Sequence, residues 1–170
     1  CILDTIYDPE NHPNHQYIGG YFGSHNGKQV YLTREKGIDE GAYLPRRAHS
    51  MIGYKRMTNL ESCIETIFEE GIEGDFIETG VWRGGACIFM AGMNKFFGQN
   101  RKIFVADSFC GLPEPNPDKY PHDRNDSHYK VPELSVSKED VENNFKRYSL
   151  LDDNVVFLEG YFKDTLPQAD

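Results

Sequence analysis

Apolar residues begin to recur with helical spacing at Leu60, followed by Cys63, Ile64, Ile67 and Phe68 on one face. Thr58 with Glu61 three residues on predicts a capping box at the start of this helix. Gly71 predicts its left-handed stop. Asp75–Glu78 reads as a short strand, and Gly80, Gly84 and Gly85 read as the turn leaving it. From Ala86 to Phe97 almost every residue is apolar, which predicts a helix buried on most sides, ended by Gly98. Lys102–Asp107 is a second strand whose unbroken apolar run suits a sheet covered on both faces. Ser137 with Asp140 opens another helix, with Val141, Phe145 and Tyr148 inward, and Asn154–Gly160 forms a third strand. The alternation β-α-β-α-β predicts parallel strands in the order 3-2-1, an α/β, doubly wound, Rossmann-like sheet. Asp164–Pro167 reads as the opening of a further crossover helix. Strand four is missing from the sequence, so the sheet is expected to be truncated after its third strand.

Cys1 to Glu40 lacks a sustained apolar period and is rich in Gly, Asn, His, Pro and Tyr, including the run Glu10–His15 and the pair Gly19 and Gly20. It reads as an N-terminal arm or linker over 1–40, with Lys28–Thr33 as a candidate edge strand. Residues 41–170 form the domain proper. Cys1 in first place reads as an internal boundary of a longer protein. The net charge of −9 and a pI near 5.1 argue against a broad cationic surface for nucleic acid or an anionic membrane, leaving a small molecule as the expected partner. A mean hydropathy of −0.62, with no apolar run near the ~20 residues of a membrane span, argues against an integral membrane protein. Four scattered cysteines, without C-x-x-C, fit reduced thiols in a cytoplasm better than a zinc ribbon or a disulfide framework.

The densest chemical signal is Glu78-Thr79-Gly80-Val81-Trp82-Arg83-Gly84-Gly85 between a strand and a helix, with Asp107 at the tip of the next strand. A glycine turn admits a ligand where a Cβ would block it, and an acid at the second strand's tip suits both hydroxyls of a ribose. The pattern is not G-x-G-x-x-G. Glu78 stands where the turn begins, a better match for an ammonium and a sulfonium than for a pyrophosphate. S-adenosylmethionine is therefore expected in preference to NAD. The plainer alternative is that the glycines serve only the turn.

Four segments in order then resemble one family. They are Ser50-Met51-Ile52-Gly53 with Arg56, Asn59 and Leu60; Glu78 to Gly85; Asp107-Ser108-Phe109-Cys110-Gly111-Leu112-Pro113; and Gly160-Tyr161-Phe162-Lys163-Asp164-Thr165-Leu166-Pro167. From about Tyr43 to its end the chain resembles the macrocin O-methyltransferases, which methylate sugar hydroxyls on macrolides and related natural products. Ser50 stands where the family usually has Thr, keeping the hydroxyl.

The resemblance implies a class I methyltransferase fold, S-adenosylmethionine as donor, a glycosylated natural product as acceptor, and Mg2+ in the complete protein. It places Glu78 and Gly80 at the methionine end and Asp107 at the ribose. Ser108, Gly111 and Leu112 flank ribose and adenine, Gly160 with Tyr161 or Phe162 lines the adenine pocket, and Ser50 with Met51 closes over the donor. Thr79, Trp82, Arg83 and Gly84 complete the donor turn. Arg83 either orients a carboxylate or solvates the helix start, and Trp82 is either pocket wall or core. The metal-binding and proton-accepting acids are expected beyond Asp170, so no catalytic or metal residue is assigned here and the chain alone is expected to be inactive.

Pro113 to Leu134 reads as an irregular, solvated lid. Its His122, Asp123, Asp126 and His128 match no defined metal spacing, and neither do His12 and His15. An NAD-dependent oxidoreductase or epimerase half-domain, and a non-catalytic methyltransferase-like module of a larger biosynthetic assembly, are the alternative functions. A homo-oligomer is also open.

Overall fold

The computed structural model describes residues 22–25, 28–31, 34–41 and 48–169. Cys1, the Glu10–His15 run, Gly19, Gly20 and Tyr43 lie outside them. The central sheet is β3 (Phe76–Thr79), β4 (Ile103–Asp107) and β5 (Val155–Glu159), all parallel in the order β3-β4-β5. This is the expected 3-2-1 arrangement. Phe76 pairs with Ile103 and Ile103 with Val155, so Asp107 lies beside Glu159 and the carboxyl ends of the strands open onto neighbouring loops.

Helix α2 (Tyr54–Glu69) precedes β3, α3 (Gly85–Phe96) joins β3 to β4, α4 (Lys138–Arg147) joins β4 to β5, and the short α5 (Phe162–Thr165) follows β5. The apolar run of α3 is buried from Gly85 to Gly92, as its composition dictates, although Phe96 at its end is 81% exposed. Ile88 and Cys87 of α3, Met57 and Ile64 of α2, Ile103 and Val105 of β4, and Val141 and Phe145 of α4 are wholly enclosed in one core. Phe145 meets Phe157 of β5 edge-on at 6.1 Å.

The capping predictions divide. Ser137 accepts the Asp140 N–H at 3.1 Å, as expected. At the end of α2, Ile72 N–H reaches the Ile67 carbonyl and Gly71 N–H the Phe68 carbonyl, a Schellman stop with Gly71 left-handed. The capping box at Thr58 is not formed. The helix starts four residues earlier, after Gly53, and Thr58 Oγ1 donates back to the Tyr54 and Lys55 carbonyls inside it.

Lys28–Tyr31 (β2) is a strand, paired antiparallel with β1 (Phe22–His25). A helix α1 (Arg34–Glu40), absent from the reading of an aperiodic arm, packs on α2. Lys55 pairs with the Glu40 carboxylate and Arg56 Nη2 donates to the Glu40 carbonyl at 3.0 Å, tying the two helices together. The loop from Pro113 contains three 3₁₀ turns, Pro121–Asp123, His128–Lys130 and Pro132–Leu134. No helix among the described residues is long and apolar enough to cross a membrane.

Candidate functional site

β3 ends at Thr79, and Gly80 donates to the Ala106 carbonyl at 2.8 Å as the chain swings into the turn. Gly80 has φ +86 and open space where a Cβ would stand. Gly85 is needed for a different reason: a Cβ there would fall on the His49 carbonyl, which accepts the Gly85 N–H at 2.9 Å. That close approach lays the segment 48–52 against the turn. Between them lies a cavity of about 300 Å³, walled by Ser50, Met51, Ile52 and His49 on one side and by Glu78, Gly80, Val81 and Trp82 on the other.

Glu78 supplies this hollow's negative group. Burial is the main reason its pKa is pushed up to about 7, and the nearby Asp107 charge adds to the rise. Hydrogen bonding from Cys87 opposes it, the thiol donating to Oε2 at 3.0 Å. Burial, and then the Glu78 charge, push the Cys87 thiol up in turn, so it serves as a donor and not as a thiolate. His49, on the opposite wall, is pushed down by burial and by the charges of Arg147 and Arg83, and its Nδ1 is 3.0 Å from the Tyr148 hydroxyl. Its imidazole is therefore neutral around pH 7.

Asp107 sits where three loops meet. Its Oδ2 accepts Val81 N–H at 2.8 Å and Trp82 N–H at 3.4 Å, and its Oδ1 accepts Phe109 N–H at 3.0 Å and Ser108 Oγ–H at 3.4 Å. Its backbone carbonyl takes the Gly160 N–H at 2.9 Å. The carboxylate thus braces the glycine turn against the loop after β4. A hydroxyl arriving from a ligand would share it with the longer, weaker contacts.

The cavity at the turn gathers Ser50, Met51, Glu78, Gly80 and Trp82 of the predicted set. Leu112 and Tyr161 instead line a second hollow of about 490 Å³ with Pro113, Pro115 and Tyr120. Ser108 Oγ also donates to the Gly111 carbonyl at 2.7 Å, shaping the loop after β4. Phe162, 41% exposed, begins α5 just beyond Tyr161, and Thr79 is exposed at the end of β3. Gly84 does not face the cavity: a Cβ on it would stand 2.8 Å from Val141 Cγ1, so it serves helix packing. Arg83 is directed away too, into a third hollow shared with Asn144 and Arg147. His49, Arg56 and Ala86 also line the first cavity, though no local sequence pattern marks them as ligand contacts.

A family model described as Macrocin-O-methyltransferase (TylF) matches residues 9–170. The chain belongs to that family. It is 47% identical over 138 residues to the demethyldecarbamoylnovobiocin O-methyltransferase of Streptomyces niveus, covering 80% of this chain and 53% of that protein. Over 139 residues it is 46% identical to the mycinamicin III 3''-O-methyltransferase of Micromonospora griseorubida, covering 79% and 55% of the two chains. The solved structure of the O-methyltransferase NovP superposes with a TM-score of 0.77 at 47% identity, over 80% of this chain and 57% of that one. Fold and family agree with the parallel sheet described above. The chain spans about half the length of the curated relatives it matches.

Among the described residues no group of three or more His, Cys, Asp or Glu is placed to hold a metal ion. No described residue is assigned to magnesium.

Proposed function

We propose that this chain forms the donor-binding half of an S-adenosylmethionine-dependent O-methyltransferase whose acceptor is a sugar hydroxyl on a macrolide-type or related natural product. The observation that carries this reading is the cavity at the strand-to-helix turn, lined by the half-buried acid Glu78 and by Gly80, whose missing side chain leaves open space. Relatives named as O-methyltransferases of demethyldecarbamoylnovobiocin and mycinamicin III, and one named for the 4'-oxygen of a rhamnosyl-tetracenomycin, support the acceptor class.

In this reading Glu78 faces the ammonium of the methionine end, and Gly80 leaves the room that end needs. Ser50 and Met51 form the outer wall. Asp107 meets the ribose, while Leu112 and Tyr161, in the second hollow, meet the adenine. The bound donor supplies an electrophilic methyl on a sulfonium, and the protein's task is to hold it in line with the acceptor oxygen, about 3–3.5 Å apart. Met51, Ile52 and Val81 give the cavity apolar walls. A carboxylate at the ammonium is felt alike before and during methyl transfer. Its main contribution is therefore binding and orientation, with acceleration coming from alignment.

The test is methyl transfer by the protein carrying this chain, with radiolabelled S-adenosylmethionine and a panel of glycosylated macrolides, aminocoumarins and free sugars. Label appearing on the sugar of a glycosylated acceptor is expected. Hydride exchange with NAD and no methyl transfer would instead favour an oxidoreductase.

A further inference from the structure

Trp82 and Arg83 lie inside the glycine turn, yet neither contributes a charge to the donor cavity. Trp82 has φ +50, a left-handed backbone that a bulky residue seldom adopts, and its backbone is held there by Asp107. Its indole Nε1 donates to the Glu133 carbonyl at 2.7 Å, at the end of the long loop after β4. The Arg83 guanidinium lies over the same indole at 4.2 Å and donates through Nη1 to the Ala48 carbonyl at 3.0 Å. Asn144 Nδ2 in turn donates to the Arg83 carbonyl at 3.0 Å, anchoring the pair to α4. Ala48 and Ser50 are buried, and Ser50 to Ile52 form the outer wall of the cavity.

We infer that Trp82 and Arg83 are positioning residues, a stacked clamp that holds the 48–52 segment and the Glu133 end of the loop against the turn, and that Arg83 acts on the donor through the segment it holds at the Ala48 carbonyl. The inference deepens the donor-site reading proposed above and rests on it. A planar guanidinium suits the place because it stacks on the indole and donates in its own plane at once. Partial burial pulls the Arg83 pKa down from its usual value, and the Glu133 charge opposes that fall. With the clamp shut, the wall carrying Ser50 and Met51 is fixed, which slows ligand escape more than it alters encounter.

The experiment measures hydrogen exchange and S-adenosylhomocysteine binding kinetics on the full chain for wild type, Arg83→Met and Trp82→Phe. Arg83→Met keeps the length and apolar body but loses the donor. It is expected to speed exchange in residues 48–52 and at the Gly85 amide, and to raise the dissociation rate about tenfold with the association rate unchanged. Trp82→Phe keeps a ring without Nε1 and is expected to speed exchange in 131–136. As the sole tryptophan, Trp82 should also shift its emission in Arg83→Met. Weakened binding without faster exchange in 48–52 would overturn the inference, because Arg83 would then be touching the ligand itself. Unchanged exchange and unchanged binding would overturn it as well. If wild type binds no S-adenosylhomocysteine, the donor-site reading fails, and the exchange data alone decide whether the clamp exists.

Discussion

Replacing Asp107 by Asn should damage the fold and the donor site together, because the same carboxylate serves both. Two of its four acceptances are short, from Val81 at 2.8 Å and Phe109 at 3.0 Å, and they fall on different oxygens. An amide keeps one carbonyl oxygen, so whichever way it turns, one of those N–H groups faces an NH₂. A hydrogen bond to a charged acceptor contributes about 1.5–3 kcal/mol, and one such bond is lost. For a domain of this size each kcal/mol moves the melting temperature by about 2–4 °C, which puts the expected fall at roughly 3–12 °C. Losing a charged acceptor for the ribose should weaken S-adenosylhomocysteine by about ten- to a hundredfold in the same variant. The assay is calorimetric titration beside thermal melting, with Asp164→Asn as control, since Asp164 is exposed and lies 3.9 Å from Lys163. Intact affinity in a destabilised Asp107→Asn would remove the ribose assignment. Lost affinity at an unchanged melting temperature would refute the bracing role.

Glu78 has a folded pKa raised from 4.5 to about 7, so the folded state holds a proton that the unfolded state releases. Stability should therefore fall as pH rises from about 4.5 to about 7, and Glu78→Gln should flatten that slope in pH-dependent denaturation. Donor affinity should run the other way, rising through pH 7 as the carboxylate forms to meet the ammonium; a Glu78→Gln titration that keeps the same pH dependence would assign it to another group. Gly80→Val places branched carbons in the cavity at φ +86 and should abolish S-adenosylhomocysteine binding in calorimetry while the far-ultraviolet dichroism stays native. Phe145→Ala removes a fully enclosed ring and should cost about 3–5 kcal/mol in urea denaturation without touching the donor cavity.

The three sheet strands and the helices between them were legible because their apolar runs are unbroken and their ends carry strong signals, Gly71 and Ser137 among them. The start of α2 was misplaced because Thr58 and Glu61 match a capping box by sequence, whereas the real start at Gly53 carries no side-chain cap. Helix α1 was missed because Arg34–Glu40 has one large apolar residue, Ile38, and one residue has no period; its order comes from packing on α2. At the site, Glu78 and Gly80 follow from strand, turn and helix in order. His49 and Arg56 could not be reached that way, since they join the cavity through tertiary contact, with Gly85 against His49 the decisive approach. Asp107 was legible as an acid at a strand tip, but its grip on Val81 and Phe109 was not, because it depends on how two loops fold back together.

Isothermal titration of this 170-residue chain with S-adenosylhomocysteine and, separately, with NAD decides whether the glycine turn is a donor site. One-to-one binding of S-adenosylhomocysteine, lost in Glu78→Gln at pH 8, and no heat from NAD are expected. Saturable binding of NAD, or S-adenosylhomocysteine binding that survives both Glu78→Gln and Gly80→Val, would contradict the donor-site reading.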